Sequence, residues 1–147
     1  MPTIIDTGIL LQYIRAIYRQ EQNTLTDYVQ SLDGITAISV VTRGEIIALA
    51  LRNNWGRKRL KLTNRIISDI LVLNINTEAI VRRYAEIDAY SQRRLPGKPL
   101  EGSARNMGKN DLWIAATASV LDARLLTLDQ DFTHLNESFV QLDILKA

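Results

Sequence analysis

Cysteine is absent from the 147-residue chain, so disulfides, thiolate metal sites and cysteine nucleophiles are all excluded. Histidine occurs once, at His134 in the stretch THLNES. One imidazole removes most zinc sites and makes serine-type triads depend on a single residue in a loop-like segment. Proline (3) and glycine (7) are sparse, and 46% of the residues are hydrophobic, which is the composition of a packed domain and not of a linker or low-complexity chain. No apolar run approaches the roughly 18 residues of a membrane span. The opening MPTIIDTGILL carries an acid at position 6 and no basic run. The expectation is therefore a soluble cytoplasmic protein without membrane attachment. At this length one domain, 1–147, with one core is the default. Net charge is only +2, so the overall balance does not by itself establish a polyanionic partner.

Apolar patterning divides the chain into alternating elements. Thr3–Ile5 reads as a short buried strand closed by Asp6, followed by a helix over 8–19 and a second over 25–32. ITAISVV is the next strand, and a helix beginning at Thr42 with Glu45 three residues on fits a capping box. Helices are expected over 56–70 and over 77–94, the latter capped by Thr77, with the strand ILVLNI at 70–75. LPGKPLEGSARNMGKN is a loop, after which come a helix over 111–122, the strand RLLTL, the turn DQDF and a last strand SFVQLDIL. Continuous apolar strands alternating with helices indicate an α/β fold, a three-layer α/β/α sandwich around a mostly parallel sheet. Ligands of such sheets bind beyond the carboxyl ends of the strands.

Four acids fall where that crevice is expected: Asp6, Glu45, Asp111 and Asp129, with Asp131 a close fifth. Each has an ordinary explanation of its own, as a capping-box acid, a partner of a helix dipole or a turn residue. As a group they repel unless a cation neutralises them. An all-oxygen cluster suits a hard cation, Mg²⁺ or Mn²⁺. The chemistry natural to that arrangement is phosphodiester hydrolysis by an activated water, with no protein nucleophile.

The blocks IIDTGILL, SVVTRGEI, NDLWIAATA and LLTLDQDF, in this order, resemble those of the PIN-domain ribonucleases, especially the VapC-type toxins of bacterial toxin–antitoxin pairs. The resemblance spans nearly the whole chain. It implies metal-binding, catalytic acids at Asp6, Glu45 and Asp111, with Asp129 or Asp131 as the fourth, and supporting hydroxyls at Thr7 and Thr127. It implies RNA as substrate, cut to leave a 5′-phosphate, a cognate antitoxin whose C-terminal segment lies in a groove of the toxin, and a homodimer. An exposed apolar helical face in the N-terminal third is expected to serve the dimer.

Basic residues flank the acids in RNNWGRKRLK (52–61) with Arg65, and at Arg93, Arg94, Lys98, Arg105 and Lys109 around the proline–glycine loop. Arg105 and Lys109 are the preferred substrate contacts, because their loop leads directly into Asp111. Trp55 is a candidate for stacking a base, whereas Trp113 is expected in the core. Two rivals remain. A phosphoacceptor receiver domain needs an acid pair after its first strand and a central-strand aspartate, which ILVLNINT lacks. A non-catalytic PIN-like binding module is the stronger rival, although it would usually have lost an acid.

Overall fold

A computed structural model describes residues 1–146. Among these, the elements run β1 (Thr3–Ile5), α1 (Thr7–Tyr18), α2 (Thr24–Gln30), β2 (Thr36–Ser39), α3 (Val40–Arg52), α4 (Arg57–Ser68), β3 (Leu71–Leu73), α5 (Glu78–Ser91), α6 (Lys109–Val120), β4 (Arg124–Thr127), a 3₁₀ helix (Gln130–Leu135) and β5 (Gln141–Ile144). The strands form one sheet in the order β3-β2-β1-β4-β5. Every pairing is parallel, so the sheet is parallel throughout and not merely for the most part.

Alternation along three-residue β1 builds two cores. Ile4 points into a layer with Ala37, Leu125 and residues of α5 and α6, while Ile5 points into the opposite layer with Ile38, Leu126 and the α1 residues Ile9, Leu10 and Ile14. A strand apolar on both faces can only be central, and β1 is flanked by β2 and β4. The chain lays β2 and β3 to one side of β1, then crosses to lay β4 and β5 to the other. The connection therefore reverses direction between β1 and β4, which opens a crevice at their carboxyl ends.

Two sequence expectations are corrected, and a third is located. Helix α3 begins at Val40, two residues before Thr42, because the Ser39 hydroxyl accepts from the Val41 amide at 3.1 Å and caps it. Glu45 therefore lies in the second turn and closes no capping box. The α1 apolar residues Ile9, Leu10 and Ile14 are buried in the core, so of the helices in the N-terminal third it is α3 that carries an exposed large apolar side chain, Ile47. Exposed apolar side chains continue from there to Leu51 on α3 and Leu60 on α4. His134, read as a loop residue, belongs to the 3₁₀ helix, and its Nε2 lies 2.7 Å from Ser91 Oγ at the end of α5.

Candidate active site

The crevice gathers the ends of four elements. Asp6 follows β1 directly, and its amide donates to the Leu126 carbonyl of β4 at 3.1 Å. Its carboxylate does two local jobs. Oδ1 accepts from the Ile9 amide at 2.9 Å and caps α1, while Oδ2 accepts from the Thr127 hydroxyl at the end of β4. Only 6% of Asp6 is exposed. Burial raises its pKa above the ordinary carboxylate value against the lowering effect of these two bonds, and Asp129 and Glu45 raise it further.

Glu45 reaches the same crevice from α3. Its Oε1 accepts from the Thr7 hydroxyl at 2.6 Å, and Thr7 Oγ1 also lies 3.0 Å from Thr42 Oγ1. Asp111 projects from the first turn of α6. Its carboxyl is pushed up to about 6, first by burial and then by the charges of Asp129, Asp6, Glu45 and Asp131, in that order. Asp129 thus acts on Asp111 most strongly among the acids, and Asp131 most weakly. Asp129 caps the 3₁₀ helix by accepting from the Asp131 amide at 2.8 Å, while its own amide donates to Thr127 Oγ1 at 2.9 Å. The N-termini of α1 and α6 face the acids and offset part of their repulsion.

Asp111 feels the charges of the other three acids and Asp6 those of Asp129 and Glu45, yet among the described residues no three carboxylates are disposed to enclose one cation. Glu45 Oε1 is engaged by the Thr7 hydroxyl, and Asp129 Oδ1 by the Asp131 amide. The donor chemistry nevertheless fits a hard cation. The carboxylates are oxygen-only ligands, two of them have raised pKa values, and no cationic side chain is within ion-pair distance of any of them, the one ion pair among the described residues being Arg83–Glu86.

The basic residues separate into engaged and free groups. Arg105 donates to Thr133 Oγ1 at 3.2 Å and so leans on the 3₁₀ helix. Lys98 donates to the Ser138 carbonyl at 2.9 Å and lies 4.4 Å from the centre of the Phe139 ring. Lys109 is exposed beside Glu45, Asn110 and Asp111, where it lines a small cleft. The Trp55 face is taken by the Arg59 guanidinium, 5.1 Å from the ring centre, and the indole packs against the core. Trp113 packs on Tyr84 with ring centres 4.2 Å apart.

Residues 3–138 match the PIN domain family. The chain belongs to that family. Its fold is also that of several solved structures. It is 17% identical, with a TM-score of 0.78 and 98% of each chain covered, to a chain of VapBC2 from Rickettsia felis bound to a DNA fragment from their promoter. Similar values relate it to DNA-bound VapBC from Salmonella typhimurium, at 19% identity, TM-score 0.77 and 98% of each chain. VapBC-1 from nontypeable Haemophilus influenzae gives 23% identity, TM-score 0.71 and 98% of each chain. No curated protein matches the chain significantly.

Asn110 escaped the sequence reading, and Arg52 was read only as part of the basic stretch 52–61. Asn110 and Arg52 line a second cleft that shares Glu45 and Asn110 with the one beside Lys109. The signal was present as helical spacing: Val41, Glu45, Ala48, Leu49 and Arg52 form one stripe on α3.

Proposed function

We propose that this PIN-domain chain is a metal-dependent endoribonuclease and the toxin of a toxin–antitoxin pair. The observation that carries the reading is the meeting of Asp6, Glu45, Asp111 and Asp129 at the β1/β4 reversal, with Asp111 raised to about 6 by burial and by the other acids. Asp6, Glu45, Asp111 and Asp129 would hold Mg²⁺ or Mn²⁺, and Asp129 is preferred to Asp131 because its charge acts more strongly on Asp111. The ion would supply an acidified water and neutralisation of the phosphate. Thr127 fixes the Asp6 carboxylate and Thr7 that of Glu45, so their hydroxyls set where negative charge is presented. Lys109, exposed at the rim, attracts the polyanion towards an otherwise acidic pocket, and Arg105 steadies the 3₁₀ helix that carries Asp131.

The toxin assignment rests on the likeness to VapBC complexes. A groove of about 710 Å³ between α3 and α4, lined by Ile47, Leu51, Trp55 and Leu60, offers an apolar seat for an antitoxin segment. A short reading frame for a DNA-binding protein directly upstream of the gene would support it, and its absence would favour a housekeeping nuclease. A non-catalytic binding module is favoured by one observation only, the failure of three carboxylates to enclose a single point among the described residues.

The deciding experiment is incubation of purified protein with a structured RNA pool in Mg²⁺, Mn²⁺ or EDTA, alongside Asp6→Asn and Asp111→Asn. Cleavage that needs the metal and drops at least about 100-fold in both variants is the expected result. Metal-independent cleavage, or variants as active as wild type, would remove the acids from the chemistry.

A further inference from the structure

Beside the acids, a cleft of about 640 Å³ runs between α1 and α3 towards Arg52. Its volume falls in the range of about 300–1,000 Å³ that small-molecule sites occupy. Its walls differ in character along their length. At one end stand Thr7, Glu45 and Asn110, which belong to or border the acidic crevice; in the middle lie Leu11, Val41, Ala48 and Leu49; at the other end is the exposed Arg52. Glu45 and Asn110 also line the small cleft that holds Lys109 and Asp111, so the two clefts form one trough. The trough therefore has a cation at each end, carboxylates between them and an apolar floor on one side of the carboxylates only.

We propose that the apolar half of this trough is a subsite for one nucleotide of single-stranded RNA adjoining the phosphate to be cut. The inference rests on the nuclease reading and deepens it. A nucleobase has apolar faces and a polar edge, and the floor of Leu11, Val41, Ala48 and Leu49 meets the first while the Asn110 amide, both donor and acceptor, meets the second. Arg52 takes the phosphate on the far side of that nucleotide. A second copy of this chain is the less suitable occupant, because docking there would bury Glu45 next to the other acids without a countercharge. Helical spacing makes the assignment specific. Glu45 and Arg52 are seven residues apart on α3, two turns or roughly 10 Å at about 1.5 Å per residue, a separation that one nucleotide and its phosphate can bridge.

Binding and cleavage separate this proposal from the reading beneath it. Short fluorescein-labelled single-stranded RNAs of varied sequence are titrated against Asp6→Asn protein by anisotropy, with the further substitutions Ala48→Trp, Arg52→Glu and Asn110→Ala made in the same background. Arg82→Glu, on exposed α5 surface, controls for charge, and circular dichroism verifies folding. The expected result is a loss of about tenfold or more for Ala48→Trp and Arg52→Glu, a changed base preference for Asn110→Ala, and little change for Arg82→Glu. In otherwise wild-type enzyme the same substitutions raise KM more than they lower kcat. Unaltered RNA affinity in both Ala48→Trp and Arg52→Glu overturns the subsite, as does the absence of any RNA binding. An Ala48→Trp effect confined to oligomeric state, measured by light scattering, hands the trough to a second copy. If RNA binds and responds as expected but the unsubstituted protein cuts nothing with Mg²⁺ or Mn²⁺, the subsite stands and the nuclease reading fails.

Discussion

Asp111 concentrates the electrostatic conflict of the site. Burial and four neighbouring carboxylates push its carboxyl up to about 6, so the folded protein keeps a proton that the unfolded chain, with an aspartate near about 3.9, has already released. Between those two pH values the native state binds more protons than the unfolded state, and stability falls as pH rises. Asp6 contributes with the same sign, since its pKa is also raised. Without added divalent metal, the melting temperature should decline from pH 4.5 to 7 on this account. Asp111→Asn, which cannot ionise, should melt a few degrees above wild type at pH 7.5 and close to it at pH 4.5. Fluorimetric melting across that range checks the sign, and an equal offset at both pH values would detach the effect from ionisation. At this scale the acids could be picked out from the chain because they end apolar runs. Asn110 could not, since it interrupts no pattern and its nearness to Glu45 depends on how α6 meets α3, whereas Arg52 follows Glu45 by two turns of one helix.

Single elements are held at the crevice by side chains that also shape it. The Asp6 carboxylate caps α1, so Asp6→Asn keeps an acceptor for the Ile9 amide while removing the charge, and is a fair probe of chemistry. On the opposite side of the sheet, Ser91 at the end of α5 meets His134 of the 3₁₀ helix that Asp129 caps. Ser91 is fully buried, and its removal leaves the imidazole nitrogen without this partner. Ser91→Ala should therefore cost about 1–3 kcal/mol in urea unfolding. A loss below about 0.5 kcal/mol would show that the two elements do not depend on the contact. Thr77 was readable as a cap because it precedes a strong helical period, and its hydroxyl accepts from the Ile80 amide at 3.2 Å. The start of α3 was not readable. Val40 and Val41 have strand propensity, but the Ser39 hydroxyl caps the helix at the Val41 amide and places them in its first turn, against a weak local preference.

For the molecule as a whole, β1 is the partition between two cores. Ile4 and Ile5 are adjacent in the chain and both essentially inaccessible, at 0% and 1% exposure, yet they belong to different layers. Ile4→Ala and Ile5→Ala should each cost about 2–5 kcal/mol, whereas Val81→Ala, at a 43% exposed position on α5, should stay within roughly 0.5 kcal/mol in the same urea experiment. Comparable losses at all three positions would contradict a central β1.

The chain by itself determined the α/β class, the order of elements and the acids that end them, because hydrophobic periodicity and strand or helix boundaries are local properties. Tertiary structure alone decided the strand order and hence which ends meet. It brought Thr127 to Asp6 across 121 residues and Glu45 to Thr7 across 38. It also opened the trough from Lys109 to Arg52, since a cleft is the space left between packed elements and is encoded in no one of them.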